Sequence, residues 1–238
     1  MRFFKVYNQT VLSPVVNALI FFAIFTLAFG NKSASYNTVE YKIIVATGLI
    51  AMSCLQGAYQ NTQATITVAK MLGFVKDYTI TPLTRTEIIL AMVLSALVRS
   101  LIVGSVTFIA LLFFVNFTCY NIFYVLYYII CGSIIFAFVG ILVGFTASDF
   151  DKAHAYTSYI ITPLTMLSGT FYSTSSLPEV WQNIVFLNPV FYIIEGFRFG
   201  MTGFGNHSLF GFIMVLILIP IFGIWAMVTL RRGMYGKN

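Results

Sequence analysis

Residues 168–200 decide how this chain folds. Ser168-Gly169-Thr170-Phe171-Tyr172 leads through Ser176-Leu177-Pro178 and Asn188-Pro189 to Tyr192-Ile193-Ile194-Glu195-Gly196-Phe197-Arg198. The stretch is too polar and too rich in Pro and Gly for one membrane-spanning helix, yet too apolar for a water-exposed loop. Non-helical backbone at membrane depth persists only where protein or a water-filled cavity satisfies its hydrogen bonds. We therefore predict a re-entrant helical hairpin that dips into one face of a membrane.

The composition of the whole chain agrees with a membrane location. Its 238 residues are 59% hydrophobic and only 8% charged, and the mean hydropathy is +0.92. A soluble domain carries about 25% charged residues, so an ordinary water-soluble protein is excluded. The net charge of +6 is typical of the Lys and Arg in membrane-protein loops, and no nucleic-acid partner is expected.

Six apolar segments predict an all-α integral membrane protein with six transmembrane helices. They lie at residues 11–29, 43–59, 88–115, 122–145, 155–167 and 209–230. A membrane-spanning helix needs about 20 apolar residues, so the chain has room for these spans and little else. Because no internal repeat, linker or low-complexity tract divides it, we expect one membrane domain over residues 1–238.

The distribution of basic residues predicts the orientation. With both termini inside, the internal segments hold nine basic residues: Arg2, Lys5, Lys70, Lys76, Arg85, Lys152, Arg231, Arg232 and Lys237. The external segments hold three, which are Lys32, Lys42 and Arg198, and Arg99 lies inside the third span. Cytoplasmic loops are enriched in Lys and Arg, so both termini and residues 60–87 are predicted to be cytoplasmic. The hairpin then lies outside.

The cytoplasmic segment at residues 60–87 contains a second pattern. Met71, Leu72, Phe74 and Val75 form a short apolar face beside charged residues, which is typical of a helix lying along the membrane interface. Thr84 and Glu87 have the spacing of a capping box that opens the third span. The segment is interpreted either as an ordinary amphipathic loop or as a docking element for a cytoplasmic partner.

Three regions, in this order, resemble the membrane subunit of type-2 ABC exporters. They are residues 77–85, residues 163–178 and residues 188–200, and the six-span layout agrees with the same family. The chain looks most like the bacterial inner-membrane permeases for drugs and polysaccharides. The resemblance covers nearly the whole chain.

The resemblance implies a transport subunit rather than an enzyme. It implies a homodimer of permease subunits in the inner (plasma) membrane, in contact with membrane lipid and with two copies of a separate cytoplasmic ABC ATPase. ATP and Mg would bind that ATPase, since the chain has no Gly-x-x-x-x-Gly-Lys-Ser/Thr phosphate loop, and no cofactor is expected on this chain. The expected substrate is amphipathic, lipid-like, drug-like or glycan.

The resemblance also implies two sets of functional residues. The expected ATPase-coupling residues within 74–85 are Phe74, Val75, Tyr78, Pro82 and Arg85. The expected residues of the external gate are Phe171, Tyr172, Asn188, Pro189, Tyr192, Glu195 and Arg198. Phe191 and Tyr192 are expected to supply an apolar plug that meets its copy in a dimer. The three-residue spacing of Glu195 and Arg198 allows an ion pair on one helix face, and a role in lining the exit is the other interpretation.

The roles of Arg99 and of a small group of polar residues can each be interpreted in two ways. A charge within a span is unfavourable in lipid, so Arg99 is expected either to pair or anchor the helix, or to act on the substrate or gate. Asp149, Asp151 and His154 are interpreted as a solvated turn rather than a metal site. A stand-alone secondary transporter or channel remains an alternative function, although the six spans lack the embedded carboxylates that ion coupling needs.

Overall fold

The structure, a computed structural model, describes residues 8–29, 40–74, 83–172, 174, 177–204 and 209–235. Within these ranges the regular structure is all helical. Among the described residues, five helices are long and apolar enough to cross a membrane, and the number is six if a bent helix pair before the last span counts as one crossing. The predicted all-α membrane fold with a broken segment before the last span is confirmed.

One helix, α2, occupies the centre of the bundle. In chain order the helices are α1 (Ser13–Phe29), α2 (Tyr41–Met71), α3 (Arg85–Leu112), α4 (Ile122–Thr146), α5 (Phe150–Tyr156), α6 (Thr162–Met166), α7 (Glu179–Phe186), α8 (Pro189–Thr202) and α9 (Leu209–Tyr235). Helix α2 packs against α1, α3, α4 and α8, whereas α9 packs against α4, α8 and α3 at the edge. The outer face of α9 is therefore free to contact lipid.

Side-chain caps determine where several helices begin. The predicted capping box is present at the start of α3, where the Thr84 side chain accepts from the Glu87 backbone and the Glu87 carboxylate accepts from the Thr84 backbone. The Asn121 side chain accepts from the Phe123 N–H at 2.9 Å and starts α4. Gly203 ends α8 with φ +73, a conformation that glycine adopts without a Cβ clash.

Glycines bring α4 directly against α2. A Cβ on Gly140 would overlap the Thr62 hydroxyl and the Tyr59 carbonyl, and a Cβ on Gly144 would press on Ile66. Small residues four apart permit this close approach of two membrane helices. The Gly140-x-x-x-Gly144 pattern is thus used for packing in this fold.

The second span is longer than the sequence predicts. The predicted segment ends at residue 59, but α2 continues as one helix to Met71. Thr62 is 1% exposed, and its hydroxyl donates to the Ala137 carbonyl at 2.9 Å, so a polar residue is accommodated inside the bundle. Met71 therefore ends α2, and its assignment to a separate interfacial helix is wrong.

The predicted fifth span is a composite of three helical pieces. The first piece is α5, with seven residues. It is followed by a π-helical segment of five residues (Thr157–Ile161) and by α6, also of five residues. At ~1.5 Å per residue they reach ~25 Å, less than the ~30 Å hydrocarbon core. Pro163 lacks an N–H and crowds the preceding turn, and the Thr162 N–H bonds to the Thr157 carbonyl five residues back. A second π-helical segment, Asn8–Leu12, precedes Pro14 in the same way.

Candidate functional site

The predicted external gate is built around a sharp bend between α7 and α8. The two helices meet at 94°, with Asn188 and Pro189 at the junction. Asn188 is buried; its side-chain oxygen accepts from the Val190 N–H at 3.0 Å and caps α8. Its amide donates to the Leu164 carbonyl at 2.7 Å and to the Ser168 hydroxyl at 2.8 Å. One side chain thus starts α8 and attaches the bend to the end of α6.

A buried ion pair lies two turns further along α8. Glu195 and Arg198 are 6% and 4% exposed, and Arg198 Nη1 donates to the Glu195 carboxylate. Charges inside a protein are tolerated when they are paired and hydrogen-bonded. The pairing predicted from the three-residue spacing is therefore present, and it lies within the bundle rather than on its surface.

The Arg198 guanidinium also joins α8 to two other elements. Nη2 donates to the Gly169 carbonyl at 2.6 Å and to the Ile44 carbonyl at 3.4 Å, and Nε donates to the Thr47 hydroxyl at 3.4 Å. Ile44 and Thr47 lie near the start of α2, and Gly169 lies in the turn that follows α6. The planar fork of Arg suits such multiple contacts better than the point charge of Lys.

The turn at residues 167–172 is wedged between the ends of α1 and α2, and it is called the external turn below after the orientation that the sequence predicts. Gly169 has φ +76, and a Cβ on Gly48 of α2 would overlap the Thr170 carbonyl. Phe171 is buried and stacks on Phe25 of α1 with ring centroids 4.2 Å apart. The Tyr41 hydroxyl donates to the Phe171 carbonyl at 3.0 Å. Backbone and side chain thus both hold the external turn.

The aromatic residues near the bend have different environments. Tyr172 and Tyr192 are half-buried, and their hydroxyls donate to the Leu167 carbonyl at 2.7 Å and the Phe186 carbonyl at 3.0 Å. Phe191, expected to form an apolar plug with Tyr192, is only 1% exposed. It lies inside the subunit and is not available to meet a second copy. The exposed apolar side chains belong instead to α7 and the residue that follows it: Val180, Trp181, Ile184 and Leu187.

A polar cavity between α1, α2 and α6 is a site that the sequence analysis missed. Its volume is about 280 Å³, and its polar lining comprises Ser13, Asn17, Ser53, Gln56, Gln60 and Thr162. The Gln56 amide donates to the Thr165 hydroxyl at 3.3 Å. Residues 53, 56 and 60 have the spacing of one helix face. This spacing is present in the sequence, but the predicted span ends at residue 59 and therefore excludes Gln60.

Arg99 lies away from the ion pair, midway along α3. Its side chain is half-buried, and the buried Nε has no hydrogen-bond partner among the described residues. No ion pair joins Arg99 to a carboxylate within the described part of the chain. Pairing, one of the two expectations for Arg99, is therefore not seen within those ranges.

The predicted coupling segment joins the ends of α2 and α3. Phe74 is 54% exposed and follows Gly73, whose φ of +76 ends the helix. Arg85 is the first residue of α3. Val75, Tyr78 and Pro82 lie outside the described residues, so the fold gives positions only for the two ends of the segment.

Lys70 connects this region to the α4–α5 turn. Its ammonium donates to the Phe145 carbonyl at 2.8 Å and to the Ala147 carbonyl. These acceptors lie at the C-terminal end of α4, where a cation complements the free carbonyls and the helix dipole. The end of α2 and the end of α4 are thereby joined just before the coupling segment.

The charged turn after α4 has a capping role. Asp149 accepts from the Lys152 N–H at 2.8 Å and from the Ser148 hydroxyl at 2.8 Å, and so caps α5. The backbone hydrogen bond, then the hydroxyl, lowers the pKa of the Asp149 carboxyl. No group of three or more potential metal ligands occurs in the described ranges.

Comparisons with known proteins agree with this architecture. The family model described as "ABC-2 type transporter" matches residues 1–202. "Inner membrane transport permease YadH" of Escherichia coli K12 is 31% identical over 236 residues, covering 98% of this chain and 92% of that protein. "Nodulation protein J" of Neorhizobium galegae is 22% identical over 222 residues, covering 92% and 85%.

The matches confirm the resemblance inferred from the three sequence regions. They also agree with a transport subunit rather than an enzyme. A permease of this kind works with an ABC ATPase and binds no cofactor itself. The chain belongs to the ABC-2 type transporter family, as a multi-pass inner-membrane permease subunit.

Proposed function

We propose that this permease subunit exports an amphipathic substrate (lipid-like, drug-like or glycan), using ATP hydrolysis on its partner. Two copies of the chain enclose the pathway and engage two ABC ATPase subunits. Both termini, residues 74–85 and the α4–α5 turn face the cytoplasm, and the bent pair α7–α8 faces outside. The observation that carries the proposal is α2, an unbroken helix that contacts the bent pair near one end and enters the coupling segment at the other.

Helix α2 is one continuous helix that makes key contacts at both of its ends. Its 31 residues extend ~46 Å at ~1.5 Å per residue. Arg198 contacts Ile44 and Thr47 in its first two turns, and Lys70 binds the end of α4 from its last turn. A displacement imposed by the ATPase on residues 72–74 therefore moves the helix to which the external ion pair is attached.

The polar cavity supports a pathway between two subunits. Gln56 and Gln60 place amide groups within a membrane helix, where they need water or polar partners. The cavity lies on the α1–α2–α6 side of the bundle, whereas α9 packs against α4, α8 and α3. A second copy facing the first across this side would enclose the polar surface in a shared passage. Phe21 also lines the cavity, which suits a substrate with both polar and apolar parts.

The external turn supports a closed resting state. Stacking of Phe171 on Phe25 and the Arg198 bond to Gly169 hold the turn over the end of the α1–α2 pair. Opening requires these contacts to change together, because one short segment makes both. A packed network with two discrete arrangements is the kind of element that transmits such a change.

The test is transport by the reconstituted complex. We would co-express the permease with its ATPase, rebuild the complex in proteoliposomes, and measure ATP-dependent movement of fluorescent lipid, drug and glycan probes. Gln56→Leu removes a polar group from the cavity, and we expect transport to fall while ATPase binding persists. Gln63→Leu is the matched control, because Gln63 lies on α2 outside the cavity, and its amide bonds to Thr67.

Three results would contradict parts of this proposal. Failure of an ABC ATPase to copurify would remove the two-ATPase assembly. Probe movement that is inward only would reverse the direction. Equal transport by the Gln56→Leu and Gln63→Leu variants would show that the cavity is not part of the pathway, but it would not count against ATP-driven transport.

A further inference from the structure

An apolar cavity lies among α2, α3, α4 and α8, separate from the polar cavity. Its volume is about 390 Å³. Its inner lining consists mainly of Ile50 and Cys54 from α2, Gly104 and Phe108 from α3, Ile129 from α4, and Phe197 from α8. On α2, residues 50 and 54 lie on a different face from residues 53, 56 and 60, which line the polar cavity. The two cavities therefore have separate linings.

Small side chains on α2 and α3 leave this space open. A Cβ at Gly104 would overlap the sulfur of Cys54, so the helices are already in contact at the inner end. Ser105, the next residue of α3, also lines the cavity and is too short to fill it. Only its hydroxyl and the two cysteine thiols, from Cys54 and Cys119, interrupt an apolar lining. A polar ligand would find few hydrogen-bond partners there.

The mouth of the cavity opens sideways on the membrane. Leu101 and Ile109 of α3 and Ile122 and Leu126 of α4 line it and are 42–60% exposed. These side chains belong to two membrane-spanning helices, so the medium outside the mouth is lipid hydrocarbon. An unfilled apolar cavity loses the dispersion contacts of its lining atoms, and hydrocarbon from the bilayer can supply them.

We propose that this cavity binds one acyl chain of a membrane phospholipid. The chain enters between α3 and α4 and ends against Ile50, Cys54 and Gly104. The headgroup stays near residues 113–121, which connect α3 to α4 and contribute Phe117 and Cys119 to the lining. The volume lies within the ~300–1,000 Å³ range of small-molecule sites. This lipid is a bound component of the fold, and the inference is independent of what the permease exports.

Photocrosslinking in a bilayer tests the proposal. The purified chain is placed in phosphatidylcholine vesicles that contain a trace of phosphatidylcholine with a diazirine on one acyl chain. After irradiation, insertion sites are mapped by peptide mass spectrometry. Ile129 is the diagnostic position, because it is only 6% exposed and bulk lipid cannot reach it. Ile217, Ile221 and Ile224 on the exposed face of α9 report contact with bulk lipid.

Filling the cavity gives the matched comparison. In the wild type we expect label on Ile129 as well as on α9. Ser105→Trp should reduce label at Ile129 by about tenfold or more, equivalent to ~1.4 kcal/mol of lost affinity, and leave label on α9 unchanged. Val98→Trp is the control, because Val98 lies two turns away on the same face of α3, is exposed, and does not line the cavity.

Leu126→Trp, at the mouth, provides a second variant if Ser105→Trp does not yield a monodisperse protein. Label confined to exposed positions in the wild type would overturn the proposal. Equal label at Ile129 in the wild type and in the folded cavity-filling variant would overturn it as well.

Discussion

Arg198 on α8 donates a 2.6 Å hydrogen bond to the backbone carbonyl of Gly169, 29 positions earlier in the chain. The same guanidinium neutralises Glu195. The external turn and the bent pair are therefore attached to each other through one buried side chain. This attachment, with the contacts of Arg198 to α2, defines where the proposed gate is most sensitive to substitution.

We expect Arg198→Met to destabilise the subunit by about 3–5 kcal/mol, because it removes the positive charge that is paired with the buried Glu195 carboxylate. Exchanging the two charges should not restore stability, since a carboxylate at position 198 would face the carbonyl oxygens of Gly169 and Ile44. Thermal unfolding in detergent measures both variants. Full recovery in the exchanged variant would show that the ion pair alone matters and that the carbonyl contacts do not.

Gly48 and Gly57, both on α2, should respond oppositely to alanine. A Cβ at Gly48 would overlap the Thr170 carbonyl, whereas at Gly57 it would lie 3.6 Å from Val103, an ordinary contact. Overpacking typically destabilises by about 1–3 kcal/mol, so Gly48→Ala should lower the melting temperature and displace the external turn. Gly57→Ala should be neutral or slightly stabilising, because alanine favours helix over glycine. Equal melting temperatures for the two variants would argue against tight packing at the turn.

Lys70→Met should weaken coupling between ATP hydrolysis and transport. The substitution removes the hydrogen bonds from α2 to the Phe145 and Ala147 carbonyls, so motion of the coupling segment reaches α4 less efficiently. We expect a lower ratio of substrate moved to ATP hydrolysed in the reconstituted complex. Lys70→Arg should retain most coupling, and Lys152→Met, at an exposed lysine in the first turn of α5, serves as the control. An unchanged ratio in Lys70→Met would exclude this connection.

Phe74→Ala should weaken binding of the ATPase. An exposed aromatic side chain at the end of α2 fits an interface anchor, whose truncation typically costs about 2 kcal/mol or more. Tyr78→Ala is predicted to act in the same direction. Phe113→Ala, at an exposed phenylalanine at the opposite end of α3, is the control. Copurification of the ATPase with each variant checks the prediction, and equal recovery in all of them would move the docking site elsewhere.

Cysteine labelling should confirm the proposed orientation. Cys119 is exposed in the α3–α4 connection, whereas Cys54 is buried. In the proposed orientation this connection faces outside. A chain that keeps only Cys119 should therefore react with an impermeant maleimide in spheroplasts. Cysteines placed at Lys76 or Lys152 in a cysteine-free chain should react only in inside-out vesicles. Cysteines at Lys32 or His207 should behave like Cys119. Labelling of position 76 in intact spheroplasts would contradict the proposed orientation and favour the reverse one.

The number and order of apolar segments were determined by the sequence itself. Long apolar runs must leave water, and the five long spanning helices of the described residues all lie on predicted segments. The remaining predicted segment, residues 155–167, instead forms short helical pieces, which hydropathy alone does not show. Local hydrogen-bond chemistry was equally readable, as the Thr84–Glu87 capping box and the three-residue spacing of Glu195 and Arg198 show. The family resemblance in residues 77–85, 163–178 and 188–200 added the function.

Tertiary structure alone decided how far α2 extends and what Arg198 touches. Gln60 and Thr62 resemble a loop when side chains are judged one at a time, but α4 supplies the Ala137 carbonyl to the Thr62 hydroxyl, and the helix continues to Met71. The contact of Arg198 with Gly169 likewise joins residues 29 positions apart, beyond any local pattern. Hydropathy measures what each side chain prefers by itself; burial of polar groups depends on partners that only the packed bundle brings within hydrogen-bonding distance.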